Sequence, residues 1–154
     1  MGKRISLTVD ERVILNLMEF THHEEDFEAP EGTTQGGIAE GIGIARKHVP
    51  RDVNKLNQEN LVRSRVSHVK GAKQRKKVYH LSMRGKELGR KIWETLGKKE
   101  VVLRSEDGTD TRMTVSELCF THQVGRSPVQ IILDLQDGNV YCPSKACPRP
   151  AEEY

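Results

Sequence analysis

Four side chains in the last third of the chain could hold a metal. Cys119-x-x-His122 and Cys142-x4-Cys147 supply three thiolates and one imidazole, with 19 residues between the two pairs. Soft sulfur together with ring nitrogen suits tetrahedral Zn²⁺. The competing reading of the same cysteines is as small apolar residues of a core. Three cysteines cannot all pair within one chain, which argues against a disulfide framework. A second group, His22, His23, Glu24, Glu25 and Asp26, also offers ligand types for a divalent metal. Adjacent histidines on a loop need a defined backbone to converge, however, and a solvated acidic loop is the reading adopted. No nucleophile and base pair stands out, and Gly36, Gly37, Gly41 and Gly43 lack the strand and the Gly-Lys-Ser/Thr ending of a phosphate loop. The chain is not expected to be an enzyme.

The other chemistry in the sequence is charge and hydrogen bonding. A net charge of +3 over 154 residues conceals a sharp division along the chain. Residues 1–45 hold 3 basic and 9 acidic side chains, residues 46–91 hold 15 and 3, and residues 92–154 hold 7 and 10, for nets of −6, +12 and −3. A segment at +12 repels itself unless a polyanion or counterions neutralise it. Double-stranded DNA is the expected partner. Within that segment Arg51 can read guanine through O6 and N7, and Asn54 can pair with adenine, because each offers a two-pronged set of hydrogen bonds.

Those side chains need elements to present them. Ile38, Ala39, Ile42, Gly43, Ile44, Val49, Val53 and Leu56 fall where two short helices crossing at a tight glycine turn require buried residues, a helix-turn-helix pattern. The first runs from about Gln35 to Glu40 behind a Thr34 cap, and the second from about Arg46 to Asn60. Pro50 requires a start within the preceding few residues, because proline has no amide hydrogen to donate. If Val49, Val53 and Leu56 face inward, the helical period turns Lys47, Pro50, Arg51 and Asn54 outward. Arg46, His48 and Lys55 are assigned to phosphate. The alternative for any one of these residues is a solvated helix face. Leu61–Val69 and Lys77–Leu81 read as two strands joined by a charged tip, with Lys70, Lys73, Arg75, Lys76 and Lys77 crowded around it. Upstream, Thr8-Val9-Asp10-Glu11 has the form of a capping box for a helix from about Val9 to Phe20, and residues 21–32 read as a loop. Ser82 caps a last helix over about Met83 to Leu96.

From Thr33 to about Leu96 the chain resembles the winged helix-turn-helix regulators of the MarR, ArsR and PadR type. The residues that carry the resemblance are the Gln35-x-x-Ile38-Ala39 opening, Gly43-Ile44, Val49-x-Arg51, Leu56, Leu61-Val62 and the His80-Leu81-Ser82-x-x-Gly85 exit. Asp52 departs from it, standing where such a helix commonly has an apolar residue. The resemblance implies a DNA-binding transcriptional regulator with its second helix in the major groove and its basic wing on the minor groove or backbone. It also implies a two-fold dimer reading two half-sites, formed through the helix after the wing. A reading from another class is a winged-helix docking module for other proteins.

Beyond Gly97 the resemblance ends. Asp107-Gly108 and Asp137-Gly138 each favour a hairpin turn. The alternation of Val129, Ile131, Leu133 and Leu135 gives a strand, so two β-hairpins are expected over residues 98–154. The fold class is therefore α+β, a winged helix-turn-helix domain over 1–97 with a small C-terminal β appendage. No apolar run approaches the roughly 20 residues that span a bilayer. The N-terminus has no apolar signal core, so a cytoplasmic protein is expected.

Overall fold

The computed structural model describes residues 7–21, 27–121, 127–135 and 140–142. The expectations placed on His22, His23, Glu24, Glu25, Asp26, His122, Cys147 and Asp137-Gly138 lie outside them. The chain divides into two compact units, Leu7–Trp93 and one that begins at Glu94.

The first unit opens with α1, Val9–Met18, and the expected capping box forms. The Thr8 hydroxyl accepts from the Glu11 amide at 3.2 Å, and the Glu11 carboxylate accepts from the Thr8 amide at 3.0 Å. Val13, Ile14, Leu15 and Leu17 are buried. Asn16 is buried among them at 4 % exposure, and its Nδ2 donates to the Gly32 carbonyl at 3.2 Å. Of residues 21–32, expected to be a plain loop, the described stretch 27–32 is not one. It contains β1, Glu28–Ala29, and runs into a 3-10 turn at Glu31–Thr33. A strand of two residues leaves too little sequence to show a period of two, so its existence rests on the partner strand.

Thr34 caps α2, Gln35–Ile42, accepting from the Gly37 amide at 3.0 Å. A Cβ on Gly41 would stand 2.4 Å from the Asn16 Oδ1, so glycine is what lets α2 cross α1 over that buried amide. The helix stops at Gly43, whose φ of 72° is left-handed, and both Gly43 and Ile44 return their amides to the Ala39 carbonyl. A 3-10 turn, Arg46–His48, leads into α3, Val49–Gln58. Pro50 sits in the first turn, where no amide is required of it, and Asp52 lies in the same turn, where its charge suits the positive end of the helix. This α-helix is shorter than the expected span, because Arg46–His48 is wound more tightly. It ends in a second left-handed residue, Asn60 at φ 62°, with the Asn60 amide bonded to Asn57 O and the Leu61 amide to Leu56 O. These are the two bonds of a Schellman motif.

The wing is β2, Val62–Val69, antiparallel to β3, Lys76–Leu81, in a register that sets Val62 opposite Leu81 and Ser67 opposite Lys76. The sheet has a third strand, since β1 runs parallel to β2 with Glu28 opposite His68. Ala29, Val69 and Val78 form a small buried cluster beneath it, with Ala72 against them. Ser82 then starts α4, Met83–Gly97. Its hydroxyl donates to Asn60 O and accepts from the Gly85 amide at 3.0 Å. This architecture is a winged helix-turn-helix.

In the second unit β4, Glu100–Arg104, pairs with β5, Asp110–Thr114, around the expected Asp107-Gly108 turn, and Gly108 has φ 86°. The second hairpin is corrected by the structure. Pro128–Asp134 is a helix, α6, and it follows another, α5, Val115–Thr121. Ser127 accepts from the Gln130 amide at 3.2 Å while Gln130 reaches back to the Ser127 amide, a complete capping box with Pro128 in the first turn. Burial of Val129, Ile131, Ile132 and Leu135 follows one helical side, so the apolar alternation was the weaker signal. The last strand, β6, Val140–Tyr141, joins β4 in parallel and so belongs to a crossover.

The glycine and asparagine reversals can be tested separately from packing. A Cβ at Gly43 would meet nothing within 4 Å, so Gly43→Ala probes the backbone angle alone. It should lower the unfolding free energy by roughly 1–2 kcal/mol in a denaturant titration. Asn60→Gly, which keeps the angle accessible, should change it by less than about 0.5 kcal/mol. In the β4–β5 turn the Ser105 hydroxyl and then the Thr109 amide, at 2.9 Å, donate to Asp107 and hold its carboxyl at about 2, below the ordinary 3.8. The folded value is the lower one, so this contribution to stability is present above pH 3.8 and is lost as pH falls from about 4 toward 2. Carbon-detected NMR titration of Asp107 should give that midpoint, and Ser105→Ala should move it back upward.

Candidate nucleic-acid interface

The side chains assigned to groove and phosphate sit where the core of α3 directs them. Val49, Val53 and Leu56 are 0 %, 1 % and 1 % exposed. That spacing of four and three leaves Arg51, Asn54 and Lys55 exposed and Pro50 half-buried, and Arg46, Lys47 and His48 are exposed on the 3-10 turn before them. Arg51 is 78 % exposed in its side chain, with Nε 3.9 Å from an Asp52 carboxylate oxygen, a distance at which the pair holds it weakly.

Lys55 is differently placed. Its Nζ lies 2.8 Å from Asp10 Oδ2 at the start of α1. The hydrogen bond to Asp10, then the charge of that carboxylate, raises the Lys55 pKa above its ordinary 10.5. In the free chain Lys55 is a tie between α1 and α3. Asp10 is a residue that sequence reasoning did not connect with the interface, because the contact spans 45 positions and no local period announces it.

In the wing, Lys70, Lys73, Arg75, Lys76 and Lys77 are all exposed. Lys77 Nζ stands 5.9 Å from the centre of the Tyr79 ring, and the Tyr79 hydroxyl accepts from Gln35 Nε2 at 3.1 Å. A bridge between Thr34 and Val78 adds a second tie from the start of α2 to β3. The wing therefore leans on the helix-turn-helix through Gln35 and Thr34. Just before β1, Phe27 at 80 % exposure stacks on His68 of β2 with ring centres 5.0 Å apart, and Val66 of β2 is 61 % exposed. Neither was singled out from the sequence.

Of the four proposed metal ligands, Cys119 and Cys142 fall among the described residues and His122 and Cys147 lie outside them. Cys119 is a buried thiol on α5. Cys142 is disulfide-bonded, and that state offers no thiolate to a metal. Among the described residues no three His, Cys, Asp or Glu side chains form a group that could hold a metal ion, and no helix is long and apolar enough to cross a membrane.

No protein-family model matches the chain, and no curated protein does. Among solved structures it is similar to the crystal structure of a mutant of MepR from a multidrug resistant S. aureus clinical isolate, at 20 % identity and a TM-score of 0.39. The match covers 58 % of this chain and 59 % of that one.

Proposed function

We propose that the chain is a DNA-binding transcriptional regulator acting in the cytoplasm as a homodimer. In this reading α3 enters the major groove, with Lys47, Arg51 and Asn54 toward base edges around Pro50 and with Arg46 and His48 toward phosphate. The wing cations Lys70, Lys73, Arg75, Lys76 and Lys77 meet the minor groove or the backbone. One observation carries it: a ten-residue helix buries three apolar side chains on one side and exposes cations and an amide on the other. A hairpin with six exposed cations, Arg63 among them, follows it in the same unit. Such side chains position a protein on a duplex and read it without any covalent step.

A docking module for other proteins is the second reading. The exposure of Phe27 and Val66 on the wing sheet favours it.

Binding to duplex DNA, followed by fluorescence anisotropy across a range of salt, separates the two. The regulator should bind with an affinity that falls steeply with salt, whereas a docking module should be indifferent to DNA. Arg51→Ala should cost about 1–3 kcal/mol and relax the preference at one base position. Lys76→Ala should weaken all sequences alike and reduce the salt slope by about one. Equal and uniform effects of the two changes would reject α3 as the reading helix. Asp10→Asn frees Lys55 for phosphate, so it should tighten DNA binding and steepen the same slope.

A further inference from the structure

The residue that ends α3, the start of β2, the end of β3 and the start of α4 enclose an open cleft of about 450 Å³. Arg63, Arg84 and Lys86 line it together with His80, Asn60 and Ser82, and no aspartate or glutamate is among its lining residues. Both arginines are exposed, and among the described residues neither has a carboxylate partner. Elsewhere this chain does pair its cations, as Lys55 with Asp10 and Arg104 with Asp110 show at 2.8 Å each. The adjoining cleft shares Asn60 and Arg84 but carries Glu59 and Glu87 beside Lys91, so the acid-free side is the one toward the β-ribbon.

The Arg63 and Arg84 guanidinium charges, both lining one concavity, repel one another, and its low-dielectric walls concentrate their field. An oxyanion relieves that repulsion. The planar guanidinium fork matches two oxygens of a phosphate group, which a lysine alone cannot do. The backbone adds to this. Ser82 takes the Gly85 amide at 3.0 Å through its hydroxyl and the Lys86 amide at 2.9 Å through its carbonyl. The amides of Met83 and Arg84, first in the 15-residue α4, have no intrahelical acceptor to reach. Asn60, left-handed at φ 62°, is fastened to Ser82 across the rim by the 2.6 Å bond from the Ser82 hydroxyl to its carbonyl.

We infer that this cleft is an oxyanion site that takes a phosphate group, recognised by Arg63 and Arg84. The group comes either from the DNA backbone or from free phosphate, and the chemistry of recognition is shared.

The full chain labelled with nitrogen-15 and titrated with inorganic phosphate at constant ionic strength tests it. Amide shifts at Met83, Arg84 and Gly85 should saturate, and Arg63→Gln and Arg84→Gln should each weaken the apparent affinity about tenfold. An unchanged spectrum away from the cleft shows that the variants fold. DNA binding against salt is the second arm. A backbone phosphate gives a slope reduced by about 0.9 in each variant, whereas free phosphate leaves the slope unchanged and the saturating shifts in place. Absence of saturating shifts together with an unchanged slope in both variants overturns the site. The phosphate arm needs no DNA, so loss of the regulator reading and loss of this site are told apart.

Discussion

Everything that α3 presents outward is fixed by three side chains it presents inward. Val49, Val53 and Leu56 are fully buried, and each contributes about 1.5–3 kcal/mol for leaving water. A free helix of this length is marginal in water. The core of α1 and α2 therefore decides that α3 exists, and its period decides which way Arg51 and Asn54 point. The left-handed residues at both borders, Gly43 and Asn60, confine the helix between two reversals, so its register against the core cannot slide by a turn. Between them these constraints make the outward face a consequence of packing.

Charge works against this packing, and the fold deals with it in two ways. The stretch 46–91 carries a net of +12 and the stretch 1–45 a net of −6. Part of that opposition is used locally, where Asp10 reaches across from α1 to Lys55. The wing cations are exposed, Lys76 and Lys77 on β3 and Lys70, Lys73 and Arg75 in the connection before it, while Val69 and Val78 are buried with Ala29. Apolar burial beneath the ribbon offsets repulsion along it, which salt already screens over about 8–10 Å. The wing cations Lys70, Lys73, Arg75, Lys76 and Lys77 are thus exposed on a ribbon that the fold tolerates.

Much of the first unit was legible because its signals are local. The Thr8 capping box, the Thr34 cap and the Gly43 reversal all lie within a few residues of what they control, and each forms as read. The inward set of α3 and the two long strands were legible for the same reason. β1 was not. Glu28–Ala29 is a strand only because His68 and Val69 offer it an edge 40 residues away, and two residues carry no period of their own. Lys55 illustrates the same limit at the level of one side chain. Its position on the exposed face followed from the helical period, whereas its partner on another helix did not.

The second unit shows how two local signals compete. Over Val129–Leu135 alternation argued for a strand, whereas the structure starts a helix there from a capping box between Ser127 and Gln130. In the structure Ile132 is fully buried and Leu133 is only half-buried, the reverse of what alternation requires. A complete capping box satisfies two amides that would otherwise face the core unpaired, and proline at the first turn removes a third. Those three satisfied positions fix the backbone before any side-chain period has a second turn in which to show itself. A cap therefore outweighs a four-point alternation, and β6 then reaches β4 by a crossover instead of a hairpin.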